Sequence, residues 1–349
     1  MAITIRLLRD DEIQLANNFF NAIYGTNRPL VNFRWEFLEG PFGKAIYVVA
    51  IDDSVTDTTK VVGIQCAIPI ELINGRGERV LTAKSEDTLV DPAYRGQKIF
   101  ERMYDLLFEA CKNAGIRYIW GFTPAKKAFE RIGFAIPFAT EQALLVFQPM
   151  AAYRYLKSLN EQNKTLDKVK VLGLCFLSWL KGIKLMFTGR LALTETPLSG
   201  KDKAFQKHYA GQDLFTLHET TAYLTWRLAH NPFGNHYRSY QSADGTFDAL
   251  VNSRPNVGYI EQVFTPVENR HHAGIHSLVD ILRKQRVPLI RTFNFSSNDV
   301  LKAQGRQLSE AGFTYLKRGS FFVWKSLDDQ DRIKPSQLLI NRLFTQGNL

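Results

Sequence analysis

Residues 85–100 read Ser-Glu-Asp-Thr-Leu-Val-Asp-Pro-Ala-Tyr-Arg-Gly-Gln-Lys-Ile-Phe. Two adjacent carboxylates, Glu86 and Asp87, precede a tight turn that contains Pro92, Arg95, Gly96 and Lys98. The pattern predicts a strand, a loop and the start of a helix. A helix N-terminus leaves backbone N–H groups unpaired and carries a partial positive charge. Consecutive N–H groups in the loop ahead of it form a concave anion site. Arg95 and Lys98 add formal charge at the same place. Such a site suits a pyrophosphate. The chain has neither G-x-x-x-x-G-K-[ST] nor G-x-G-x-x-G, so the two common nucleotide loops do not build it. Alternation along a strand predicts that Glu86 and Asp87 face opposite sides, so that only one serves a given site.

The elements that must position this loop are legible around it. A strand over 3–8 and a helix over 11–24 open the chain, the helix showing Ile13, Leu15, Ala16, Phe19, Phe20 and Ile23 on one face. Segments 45–52 and 61–73 read as strands, and Asn74-Gly75-Arg76-Gly77 as a hairpin turn into a return strand over 79–90. A helix over 99–113 stops at Gly115. A buried strand over 116–122, a short helix over 125–132 and a closing strand over 138–147 complete the unit. An internal repeat follows. The pattern W-x-[FL]-x-x-x-P-F-G occurs at 35–43 and again at 226–234, offset by 191 residues, and FERIGF ending at Phe134 is echoed by LSEAGF ending at Phe313. The inference is two copies of one α+β unit, over 1–150 and 211–330, joined by a basic, partly helical linker over 151–210 and followed by a tail over 331–349.

In the loop and its flanks the chain resembles the GNAT superfamily of acyl-CoA-dependent N-acyltransferases. The signature V-x-P-x-Y-R-G-x-G-[IL]-[GF] is matched by Val90, Pro92, Tyr94, Arg95, Gly96 and Ile99. An A-x-x-x-[YF]-x-x-x-G-F segment ending at Phe134 follows in order. The resemblance implies a mixed twisted sheet flanked by helices, here in two tandem repeats. It implies an acetyl-CoA site over Leu89, Val90, Arg95, Gly96, Gln97, Lys98, Ile99 and Phe100, with the pyrophosphate on the backbone N–H groups of about 95–100. It also implies transfer of acetyl from acetyl-CoA to a primary amine of a small molecule or amino sugar. Asp87 or Glu86 would take the amine's proton, with Asp87 nearer the family pattern. Lys98 and Phe100 depart from the two small residues of the signature. Phe129 stands where many members carry a tyrosine that protonates the leaving thiolate, a step a phenyl ring cannot perform.

Bulk properties bound the alternatives. The 349 residues carry a net charge of +10, and 151–210 alone holds eleven Lys/Arg against four Asp/Glu. Charge gathered in a linker does not suggest a nucleic-acid partner, since such binders spread basic residues over folded domains. Cys66, Cys111 and Cys175 are widely spaced and read as reduced, buried thiols in a cytoplasmic protein with no metal. The start, MAITIRLLRDDE, lacks the apolar run of a signal peptide. Segment 168–190 mixes Phe176, Trp179 and Ile183 with Lys168, Lys170, Lys181, Lys184 and Arg190. It reads either as a strut buried between the repeats, the preferred expectation, or as a peripheral contact with the inner membrane face. His271, His272 and His276 read as a solvated helix start or as pocket-lining residues. The second repeat, lacking a Y-R-G loop, is expected to complete the acceptor cleft or an oligomer contact. On this reading an isolated 1–150 fragment, if soluble, binds acetyl-CoA and 211–330 does not. Two rivals remain: a Fem-type aminoacyl transferase using charged tRNA, against which the Y-R-G-Q loop argues, and a non-catalytic protein on the same scaffold, which Phe129 and Lys98 support.

Overall fold

The computed structural model describes residues 3–54, 60–159, 165–183, 190–265, 268–316, 320–328 and 333–345. The chain opens with β1 (Ile3–Leu7), a 3-10 turn, α1 (Ile13–Tyr24) and α2 (Leu30–Phe37). β2 (Ile46–Asp52), β3 (Lys60–Asn74) and β4 (Arg79–Val90) form an antiparallel meander. A crossover through α3 (Ile99–Asn113) delivers β5 (Tyr118–Thr123) parallel to β4. α4 (Lys126–Arg131), β6 (Ala135–Ala139) and β7 (Glu141–Val146) follow. α5 (Pro149–Ser158), α6 (Thr165–Ile183), β8 (Leu193–Thr196), α7 (Ala204–Tyr209), β9 (Phe215–Leu217) and α8 (Thr221–Leu224) lead into the second repeat. That repeat runs β10 (His236–Ser242), β11 (Asp248–Arg254), β12 (Val257–Phe264), α9 (Glu268–Lys284), β13 (Leu289–Asn294), α10 (Asp299–Glu310), β14 (Thr314–Leu316) and β15 (Phe321–Ser326). The order and the parallel pair β12/β13 reproduce the first repeat.

The two sheets exchange strands. The first has the order β1-β2-β3-β4-β5-β15-β6, with β9 on the far end of β3, and the second β14-β7-β13-β12-β11-β10-β8. The single closing strand expected over 138–147 is therefore two strands in different sheets, broken at Thr140. There the backbone N–H and the hydroxyl of Thr140 both donate to the carbonyl of Ser320, at 2.8 and 3.0 Å, where the chain crosses one way beside its own return. Residues up to 150 thus supply an interior strand, β7, of the second sheet, and the last strand of the second repeat sits inside the first. The chain division at 150 does not divide the sheets.

The repeat inferred from W-x-[FL]-x-x-x-P-F-G is visible as contact between equivalent residues. Trp35 and Trp226 stack with centroids 5.0 Å apart. Each indole N–H donates to the other residue's carbonyl, at 3.0 and 2.8 Å. Both are buried, and equivalent residues that meet reciprocally mark a pseudo-two-fold axis. One apolar core runs through this axis, joining Phe33 and Phe37 of α2 to Tyr223, Phe264 and Phe344.

Candidate active site

β4 and β5 pair only over Thr82–Lys84 with Tyr118–Trp120. Beyond Lys84 they splay, which frees the β5-facing edge of β4. The opening holds a pocket of about 700 Å³, lined by Arg28, Glu36, Ser85–Thr88, Gly121–Pro124, Phe129 and others, with Phe233 from the second repeat. An extended ligand can pair with such an edge as an added strand would. Leu89 and Val90 lie at the end of β4, half-buried and still paired to Ile64 and Gly63 of β3.

The loop that follows has the expected form. The Asp91 carboxylate accepts from the Ala93 N–H at 2.8 Å. Tyr94 is buried and donates its hydroxyl to Asp52 at 2.6 Å. Arg95, Gly96, Gln97 and Lys98 are exposed, with Ile99 buried and Phe100 half-buried behind them. Gly96 and Lys98 adopt φ of 83° and 56°. The backbone ladder of α3 begins with the Arg102 N–H donating to Lys98 O at 3.0 Å. The N–H groups of 96–101 have no acceptor among the described residues.

The strand-alternation expectation fails. Register between β3 and β4 shifts between Ile64/Leu89 and Cys66/Glu86, and Asp87 takes a φ of 49°. This bulge turns Glu86 and Asp87 into the same pocket. Their environments differ. Asp87 is buried and accepts from Arg28 Nη2 and Nη1 at 2.8 and 3.2 Å and from the Tyr47 hydroxyl at 2.9 Å. Burial pushes its carboxyl upward against the opposing pull of Arg28. Arg28 is itself fixed. Its Nε donates to Asn17 at 2.8 Å, its guanidinium lies 3.8 Å from the Phe20 ring centroid, and Asn21 accepts from its backbone N–H at 2.7 Å. Asp87 therefore ties the α1–α2 loop to β4. Glu86, about a quarter exposed, pairs with buried Lys84.

A third carboxylate gave no chemical signal in the sequence beyond its place in the repeat. Glu36 on α2 is 3% exposed, lines the pocket, and leaves Oε1 without a hydrogen-bond partner. Burial, then the charges of Glu86 and Asp87, push it up to about 8. Its repeat equivalent is the buried Arg227, and that mismatch within W-x-[FL] is the clue available beforehand. Phe129 is buried in an aromatic cluster with Phe100, Tyr104 and Phe134. Hydroxyls lie close by: Ser85 Oγ and Tyr104 Oη are 2.7 Å apart, and Thr88 Oγ1 is 3.3 Å from the same phenol.

The second cleft is closed. β12 and β13 pair only over Gly258–Tyr259 with Ile290–Arg291, but the opening is filled by 338–345. Arg342 donates through Nη1 to both oxygens of Glu261 at 2.7 and 2.8 Å, each residue buried. A cavity of only about 50 Å³ remains. His271 and His276 are buried here, not solvated and not in the first pocket. Burial lowers them to about 3 and about 4. The second repeat's part in the first pocket comes through Phe233 and through Val323 of β15.

The comparisons agree with this geometry. The family described as acetyltransferase (GNAT) domain matches residues 4–136. No curated protein matches the chain. Among solved structures, a conserved Enterococcus faecalis protein described as a probable N-acyltransferase aligns with a TM-score of 0.64 at 9% identity, over 94% of this chain and 73% of that one. A GCN5-related N-acetyltransferase from Anabaena variabilis aligns at 0.61 and 11%, over 94% and 73%. A tandem GNAT protein from the clavulanic acid biosynthesis pathway aligns at 0.53 and 15%, over 95% and 100%. At these identities the likenesses show the fold. The family match spans the splayed strands and the loop before α3, so residues 4–136 carry a GNAT acetyltransferase domain, and the whole chain has the fold of a tandem GNAT protein.

Proposed function

We propose that the first repeat transfers acetyl from acetyl-CoA to a primary amine of a small molecule or amino sugar by direct attack. The observation that carries this reading is continuity: a free β4 edge runs from the carboxylate-lined pocket to unpartnered N–H groups at 96–101. Those groups, with Arg95 and Lys98, would hold the pyrophosphate, and the edge of Ser85–Val90 would hold the pantetheine arm. In the reaction the amine nitrogen bonds to the thioester carbonyl carbon and the C–S bond breaks. A carboxylate takes a proton, and the thiolate gains one. Phe129 supplies none, so Ser85 and Thr88, backed by Tyr104, are the candidate hydroxyls. The unpartnered anion loop favours CoA over a charged tRNA as donor. Calorimetric titration with acetyl-CoA, followed by thiol release with a panel of amines, tests the proposal. A folded protein that binds no acetyl-CoA would overturn it.

The reading extends to a peripheral contact with an anionic membrane surface through 168–190, on an otherwise cytoplasmic protein. No helix among the described residues is long and apolar enough to cross a membrane. α6 packs inward through Cys175 and Ser178, yet keeps Phe176, Leu177, Trp179 and Leu180 exposed beside exposed Lys170 and Lys181. Such a face fits an anionic bilayer.

A further inference from the structure

Glu36, Glu86 and Asp87 place three carboxylates on one pocket. The cations facing Glu36 are Arg28 from the α1–α2 loop and Lys84 from β4. Arg28 is engaged by Asp87 and Lys84 by Glu86. Glu36 is left as the surplus acid, on a helix held by the Trp35–Trp226 pair, with one oxygen unpartnered. A buried carboxylate without a hydrogen-bond donor is costly, and a fixed site that leaves one open is complementary to a missing donor. Around it the pocket offers Phe20, Tyr24, Phe122 and Phe233.

Resting on the acyl-transfer reading, we infer that Glu36 receives the acceptor's ammonium group, and that the acceptor is a primary ammonium on an apolar or aromatic skeleton with no carboxylate beside the nitrogen. Once Glu36 has lost its proton, the ammonium is the third cation that balances the three acids. The aromatic lining takes the skeleton, and cation–π attraction adds to the hold. A carboxylate on the adjacent carbon would meet Glu86 and Asp87 as a like charge. Glu36 then works as proton acceptor. R–NH3+ and the Glu36 carboxylate become R–NH2 and the carboxylic acid. The freed lone pair attacks the thioester carbon, the C–S bond breaks, and the second nitrogen proton goes to the departing thiolate. Glu36 returns its proton to water. Burial and the neighbouring acids raise Glu36 to about 8, which narrows the gap to a primary alkylammonium of roughly 10.

The test uses full-length protein and two matched probes, phenethylamine and phenylalanine. Direct calorimetric binding of each is measured without acetyl-CoA, then turnover with it, for the wild type, Glu36→Gln and Glu36→Asp. Phenethylamine is expected to bind and to be acetylated, with phenylalanine more than about tenfold poorer. Glu36→Gln should fold normally, because it resembles the protonated acid. It should retain acetyl-CoA affinity, lose phenethylamine binding, lower turnover by about a hundredfold or more, and abolish the rise in rate up to about pH 8. Glu36→Asp should restore part of that pH limb. Equal use of phenylalanine, phenethylamine binding unaffected in Glu36→Gln, or no phenethylamine binding to the wild type would overturn the inference. Amine binding that depends on Glu36 without any acetyl-CoA binding would instead leave it standing and sink the acyl-transfer reading.

Discussion

Asp87 accepts from both terminal nitrogens of Arg28 and from Tyr47, so removing its carboxylate leaves a guanidinium buried without its counter-charge. Asp87→Ala is expected to cost about 3–5 kcal/mol in urea denaturation, the usual penalty for half of a buried ion pair. A loss under about 1 kcal/mol would argue against the clamp. Glu36 makes a different prediction. Between its ordinary 4.5 and its folded value of about 8, the folded chain keeps a proton that the unfolded chain has released. Stability therefore falls as pH rises through that window. Unfolding curves of the wild type and Glu36→Gln should converge at low pH and separate toward pH 8, with the variant the more stable. Parallel pH dependences would mean that Glu36 ionises freely.

At the scale of elements, the loop before α3 and the helix α6 each carry a prediction. A Cβ at Gly96 meets nothing within 4 Å, so the obstacle to Gly96→Val is its φ of 83°, which costs a β-branched residue about 1–2 kcal/mol. The loop should change shape in a protein that stays folded, and acetyl-CoA affinity should drop by about tenfold or more, since phosphate contact needs converging N–H groups. Unchanged affinity would move the pyrophosphate elsewhere. For α6 the strut expectation requires Phe176 and Trp179 inside, and they are 43% and 37% exposed; the Ile183 side chain and residues 184–189 lie outside those described. What α6 buries is Ser178, whose hydroxyl accepts from the Val146 N–H at 3.1 Å and so serves the open end of β7. Trp179→Ala should cost well under the about 3–5 kcal/mol of a core truncation. The protein should sediment with anionic liposomes, less so as salt rises. Sedimentation indifferent to lipid charge would count against the membrane contact.

For the whole molecule, the strand exchange ties 1–150 to the rest of the chain. Without β15 the first sheet loses the strand between β5 and β6, and with it the stacking of Tyr118 on Trp324 and of Phe138 on Phe322. β7 would be left with no sheet to join. A 1–150 fragment should be insoluble or unfolded by circular dichroism, and the full chain should unfold in a single transition. A soluble 1–150 fragment that binds acetyl-CoA would show that β15 is dispensable.

Contiguous residues carried much of this protein. The turn at 74–77, the helix stop at Gly115, the anion loop at 95–100 and the W-x-[FL]-x-x-x-P-F-G repeat are local patterns of backbone preference and side-chain period, which neighbouring residues determine before any folding partner is present. Even the family resemblance rested on local stretches taken in order, the strand, loop and helix around 85–113 and the segment ending at Phe134. Tertiary structure decided what depends on surfaces meeting. Nothing local tells β7 or β15 which sheet to enter, because either sheet offers the same backbone ladder and only the buried faces distinguish them. A one-residue bulge in β4, set by its pairing with β3, brought Glu86 and Asp87 to one side. The second cleft looks like a degenerate repeat in sequence, but it closes because Arg342, far along the chain, finds Glu261. Glu36 became a site residue only when α2, locked by two tryptophans 191 positions apart, carried it against β4.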